Sequence, residues 1–242
     1  MWQISELKQR AKSVLSRFGY WTPFFATILT GFLMTDPGSI ISLIAENPDY
    51  QSILENPEYS PVLLTALFSI FGFSVLFNLF VGYPILVGMH RFFMENRISG
   101  SKVERVFWVF KSRNYLNVIK IMFLLNLKVL LWSFLFIIPG IIKSYEYFMV
   151  PYILAENPGI DSKRAFELSK KMTDDEKFDI FILGLSFIGW ILLGSLTCGI
   201  GLLFLEPYVQ ATYAELYQVE REKAFRFDFC DSSELPGFLP EQ

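Results

Sequence analysis

Apolar residues along this chain gather in long, nearly uncharged blocks. Residues 61–94 form one such block, and long parts of 116–155 and 178–219 form two more. A hydrocarbon layer about 30 Å thick takes roughly 20 helical residues to cross, so each block holds one or two crossings. The blocks are continuously apolar, which predicts helices; barrel strands would alternate apolar and polar positions. Two blocks exceed a single crossing and carry a break, Pro139-Gly140 in one and Cys198-Gly199 with Gly201 in the other. Proline and glycine interrupt helices and permit tight turns, so both blocks read as hairpins. With the shorter stretch at 20–35, the count is six spans: 20–35, 61–94, 117–138, 141–156, 178–197 and 200–220. The fold class expected is all-α, a polytopic membrane helix bundle of three hairpins.

Each hairpin follows a basic, aromatic-rich segment: "ELKQRAKSVLSRFGYW", "KVERVFWVFKSRNYL" and "SKRAFELSKKMTDDEKF". Apolar residues recur there at helical spacing, as at Val103, Val106, Phe107 and Phe110, with basic residues between them. Such segments suit amphipathic helices in the inner membrane interface, with Lys and Arg toward anionic headgroups and aromatics toward acyl chains. The second spans echo one another in "GYPILVGMHRFF", "FMVPYILAENP" and "LEPYVQATYAELY". The pattern divides a single membrane domain, 1–221, into three units of roughly 1–97, 98–157 and 158–221, followed by a cytoplasmic tail, 222–242.

Charge sets the orientation. Six spans leave 18 of the 21 Lys and Arg on one side, whereas the 36–60 loop on the other side has none and carries Asp36, Glu46, Asp49, Glu55 and Glu58. Basic loops stay in the cytoplasm, which places both termini inside and the 36–60 loop outside. The net charge of -3 conceals this asymmetry. Composition agrees with the blocks: 52% hydrophobic, 17% aromatic, mean hydropathy +0.39. A signal peptide fits residues 1–35 poorly, because the basic region is long and no small-x-small cleavage site follows. Cys198 falls at an outer hairpin and Cys230 in the inner tail, so the topology forbids a disulfide between them.

The stretches "ISELKQRAKSVL", "PGIIKSYEYFMVPYILAENPGIDSKRAFELSKKM" and "LSFIGWILLGSLTCGIGLLFLEPYVQATYAELY" resemble an uncharacterised bacterial family, domain of unknown function nine hundred seventy-five. The resemblance implies a multi-pass plasma membrane protein, found mostly in Gram-positive bacteria. It implies no activity, substrate or catalytic residue.

Three Asn-Pro copies punctuate the chain, at Asn47-Pro48, Asn56-Pro57 and Asn157-Pro158. Asn-Pro ends helical turns, because the residue before proline avoids the α region and asparagine tolerates turns. The first two copies fall outside, beyond the reach of a cytoplasmic adaptor. The third precedes Asp161, a candidate N-cap for the third interfacial helix.

No catalytic constellation emerges. His90 is the single histidine and reads as an interfacial polar residue; no cluster completes a metal site, and no phosphate loop is present. The expectation is no catalytic residue, no metal, no cofactor and no enzyme activity. Basic runs at 102–113 and 163–171 lie beside spans, so lipid headgroups are expected rather than nucleic acid, and a protein partner or self-association stays open.

Polar residues inside the spans are the candidate site: Lys128, Glu146, Glu206, Asn126 and Asn78. A charge at membrane depth costs roughly 2.5–3.5 kcal/mol and seeks a partner, so Lys128 is expected to meet Glu206 or Glu146 while Lys143 stays hydrated. The function expected is a non-enzymatic scaffold or accessory factor of the envelope. The alternative is a transporter or export/immunity component for a small or amphipathic solute, such as a peptide.

Overall fold

The structure, a computed structural model, describes residues 2–34 and 60–238. The first two Asn-Pro copies and the 36–60 loop lie outside the described residues, apart from Ser60, which opens a helix. Every regular element among the described residues is helical. The α-helices are α1 (Ile4–Phe18), α2 (Trp21–Leu33), α3 (Ser60–Phe77), α4 (Tyr83–Ser99), α5 (Trp108–Lys111), α6 (Tyr115–Leu135), α7 (Ile137–Glu146), α8 (Val150–Glu156), α9 (Ser162–Met172), α10 (Lys177–Leu185), α11 (Ile188–Ser195) and α12 (Ile200–Arg226). A π-helical turn, Asn78–Gly82, joins α3 to α4, and a 3₁₀ turn, Val103–Phe107, precedes α5.

Three stretches among the described residues are long and apolar enough to cross a membrane: Leu64–Ser99, Tyr115–Leu135 and Lys177–Ser195. The remaining expected spans are shorter or broken. α2 has 13 residues, about 20 Å of helix. The 141–156 stretch is divided by a turn at Tyr147–Met149. Lys177–Ser195, though long enough, is bent at Ser186-Phe187, where the Lys8 ammonium donates 3.0 Å to the Ser186 carbonyl. The 200–220 stretch needs correction at its C-terminal end. Ala211, Ala214, Leu216 and Ala224 of α12 are buried in protein and Glu215 and Glu220 are ion-paired, so only the first part of this helix has a lipid-like exterior.

The expected breaks are displaced or refined. Between α6 and α7 the turn is at Phe136, which is extended (φ -158, ψ 147), and Pro139-Gly140 sits inside the first turns of α7. Proline is tolerated there because early helical N–H groups have no intrahelical acceptor. Gly140 lies so near α6 that a Cβ would stand 2.3 Å from Ser133 Oγ. The second break is where the sequence put it: Cys198 (φ 53) and Gly199 (φ 82) turn the chain between α11 and α12. Thr197 secures the turn, its hydroxyl donating to the Gly194 carbonyl (2.7 Å) and accepting from the Gly201 N–H (2.8 Å).

The core is built on α4, α8 and the second half of α12. Phe92, Ile85, Ile153, Leu154, Leu216 and Tyr217 are buried there, with α1, α2 and α9 packed around them. The amphipathic faces of α1 and α9 do not point to lipid as expected: Leu7, Ala11 and Leu15, and likewise Ala165, Phe166, Leu168 and Met172, are buried in protein. A stripe of apolar residues on a helix covers whichever apolar surface is nearest, and here the chain itself supplies it. Of the middle segment, Val106 and Val109 are buried while Phe107 and Phe110 stay exposed. Asp161 caps α9 as expected, accepting from the N–H groups of Lys163 (2.9 Å) and Arg164 (3.3 Å).

Candidate functional site

The expected polar cluster is only partly assembled. Asn78 and Asn126 satisfy their own helices, donating to the carbonyls of Ser74 (3.2 Å) and Met122 (2.9 Å). Lys128 lies over the Phe166 ring at 3.5 Å and 5.5 Å from that of Tyr147. It makes no ion pair among the described residues. The buried Glu146 carboxylate is taken by Lys143, at 2.8 and 2.9 Å. The expectation that Lys143 stays hydrated and Lys128 is the partner is therefore corrected: three residues apart on α7, the two groups meet without either helix moving. Ser169 of α9 and Thr173 just after it donate to the Glu146 carbonyl, tying the end of α7 to α9.

Glu206 stands apart. Its carboxylate accepts from Gln210 one turn along α12 (2.7 Å) and faces no cation among the described residues. It borders a groove of about 300 Å³ with Phe187 and Ile191 on one wall and Leu202, Val209 and Tyr213 on the other. The groove lies where α10 and α11 turn back along α12. Its walls are apolar because both helices are apolar on every side there, so their crevice holds little polar chemistry apart from Glu206 and the Tyr213 hydroxyl.

His90 is buried and stacks on Tyr152, ring centroids 4.1 Å apart, so it belongs to the core and not to the interface. Cys198 is exposed, Cys230 buried, and both are free thiols. Among the described residues no three His, Cys, Asp or Glu side chains converge as metal ligands.

A second polar assembly, absent from the sequence-based candidates, lies at the C-terminal half of α12. Glu156, at the end of α8, accepts from the Tyr217 hydroxyl (2.7 Å), the Arg221 guanidinium (2.9 Å) and the Gly237 N–H (2.6 Å). The tail is thus not loose. Arg164 holds Glu234 through a second contact at 2.8 Å, Asn157 donates to the Glu234 carbonyl, and Leu235 is fully buried. Beside this lies a carboxyl pair. Lys223 reaches Glu176 (2.6 Å), Glu220 (3.2 Å) and the Met172 carbonyl (3.0 Å), while the Trp2 indole N–H donates to both carboxyls. Burial, followed by the hydrogen bond and charge of Glu176, pushes the Glu220 carboxyl up to about 8. Burial also penalises Glu176, but its hydrogen bonds with Glu220 and Lys223 hold it below the ordinary value, so the pair keeps one proton between its carboxyls. The signal was available in "TYAELYQVEREKA", whose Tyr217, Glu220, Arg221 and Lys223 recur three to four residues apart among apolar positions. What it did not reveal was that the acids they meet lie on α8 and before α10.

Among the described residues these features define an all-helical architecture with three helices of membrane-crossing length and a polar, cross-linked layer around the second half of α12. Residues 135–223 match the family model described as protein of unknown function (DUF975), the family that the motifs resemble. The match runs from the end of α6 to Lys223, so it contains the Lys143–Glu146 pair, the carboxyl pair and the groove at Glu206; the opening motif lies before it. Comparison with curated proteins and with solved structures found no match.

Proposed function

We propose that this chain is a six-span integral protein of a bacterial plasma membrane, with both termini cytoplasmic, and that it acts without catalysis as a scaffold or accessory factor of the envelope. The observation that carries the reading is the partition of its surface. Phe68 (73%), Phe134 (80%) and Leu196 (82%) are largely exposed on α3, at the end of α6 and after α11, in stretches that bear scarcely any charge. An aqueous surface does not sustain so much contiguous apolar exposure, whereas acyl chains solvate it. The long-range ion pairs instead join the segments that the charge count places inside: Arg97 with Glu215, Arg164 with Glu234, Arg221 with Glu156 and Lys223 with Glu176. In this arrangement the fourth membrane segment is α7 with α8, and the sixth enters the lipid with only the first ten residues or so of α12, about 15 Å of helix or half the hydrocarbon thickness. The exposed Lys and Arg of the inner layer meet anionic headgroups.

Topology is the test. In a background lacking Cys198 and Cys230, cysteines replacing Tyr50 and Tyr59 are expected to react with an impermeant thiol reagent on intact cells. Cysteines replacing Lys111 and Lys170 are expected to react only after lysis. Labelling of the latter two before lysis overturns the orientation.

The groove beside Glu206 favours a second reading, a transporter or immunity component for a small amphipathic solute. A lateral, apolar crevice with one acid is suited to a ligand that arrives through the lipid.

A further inference from the structure

We propose that the groove between α10–α11 and α12 is a binding site for a lipophilic monocation, with the Glu206 carboxylate as its counter-ion. The proposal deepens the second reading above and rests on the groove facing the membrane. Glu206 is the seventh residue of α12, about 10 Å from the turn at Gly199. At that depth a carboxylate without a counter-charge is costly. The nearby ammonium groups are engaged elsewhere: Lys8 donates to the Ser186 carbonyl at 3.0 Å and lies 4.1 Å from the Phe187 ring centroid, while Lys12 lies over the Tyr208 ring at 5.7 Å. Glu206 therefore has no ion-pair partner among the described residues and can take a positive charge at its end of the groove, away from Lys8 at Phe187.

The walls decide which kind of cation. Calcium needs six to eight oxygen ligands, and the groove offers one carboxylate and one tyrosine hydroxyl. Strongly hydrated ions would lose their water against Ile191, Leu202 and Val209 and gain little in return. A cation whose charge is spread over or shielded by apolar substituents loses little hydration and gains dispersion contact with those side chains. Tyr213 adds an aromatic ring, which attracts such cations, whereas the Phe187 ring is buried and already carries the Lys8 ammonium. The volume of about 300 Å³ suits a small organic molecule.

Binding of radiolabelled tetraphenylphosphonium to the purified full chain in an uncharged detergent, followed by equilibrium dialysis, tests this. Saturable binding is expected, weakened about tenfold or more by Glu206→Gln without loss of thermal stability. The neutral analogue triphenylphosphine oxide is expected to be indifferent to that substitution. Val209→Trp, which fills the groove and keeps the carboxylate, is expected to abolish binding, and it decides the matter if Glu206→Gln does not fold. Absence of saturable binding to the wild type, or equal binding by wild type and Glu206→Gln, overturns the proposal. Binding with no uptake into proteoliposomes would remove the transport reading and leave the site standing, and dialysis in detergent reads the site whatever the membrane orientation proves to be.

Discussion

A buried carboxylate takes the cation that its own helix brings nearest. Glu146 is 8% exposed in its side chain and its partner Lys143, at 22%, lies one turn earlier on α7. Lys128 comes from another helix and settles over Phe166, where an ammonium is attracted by the ring face without giving up its remaining hydration. The two lysines should therefore respond differently to mutation. Lys143→Met strands a buried acid and is expected to cost about 3–5 kcal/mol, whereas Lys143→Met with Glu146→Gln costs less than either single loss suggests. Lys128→Met removes a cation–ring contact of about 0.5–2 kcal/mol. Thermal unfolding in detergent reads all four chains; equal losses from Lys128→Met and Lys143→Met would show that Lys128 shares the acid after all. At this scale the sequence disclosed which polar residues sit among apolar ones. It did not disclose their partners, because choosing between Lys128 and Lys143 depends on how α6 is rotated against α7.

At the scale of elements, close approach governs where helices can lie. Gly88 of α4 faces the 3₁₀ turn so closely that a Cβ would stand 1.9 Å from the Val106 carbonyl oxygen. That oxygen belongs to backbone and cannot swing aside as a side-chain tip could. Gly88→Ala is accordingly expected to destabilise by about 1–3 kcal/mol or more, as overpacking does. Gly189→Ala, with open space around its Cβ, serves as the control expected to change little. A Gly88→Ala chain that melts with the wild type would show that the two elements do not touch there. The neighbouring π turn has a similar logic. Pro84 has no N–H, and the Tyr115 hydroxyl donates to the Phe80 carbonyl four residues earlier. Helix type and rough placement followed from the apolar blocks. The break at Phe136, three residues before the expected Pro139, did not, because proline fits the start of a helix as readily as its end.

At the scale of the molecule, the polar layer around the second half of α12 is a clamp. Trp2 near the start of the chain, Glu176 before α10 and Glu220 and Lys223 on α12 meet in one cluster, with Met172 of α9 closing it. Its stability should depend on pH with a definite sign. The folded Glu220 carboxyl titrates near 8 against an ordinary value of 4.5, so between these values the folded chain holds a proton that the unfolded chain has released. Stability then falls as pH rises from about 4.5 to about 8. Glu176 is shifted the other way and acts only below its ordinary value, outside this window. Glu220→Gln, which imitates the protonated acid, is expected to flatten the fall in melting temperature across that range; an unchanged slope would mean that the pair carries no shared proton. The sequence by itself determined helical class and the presence of helices apolar and long enough to cross a membrane, since both rest on hydrophobicity and length counted along the chain. Only the tertiary structure decided that α1 and α9 cover protein and not lipid, that Lys143 serves Glu146, that Glu206 borders a groove, and that residues after 226 dock onto α8 and α9. Each of these depends on which surfaces meet across long sequence separations, and an apolar stripe or a lone charge looks the same along the chain whichever neighbour finally covers it.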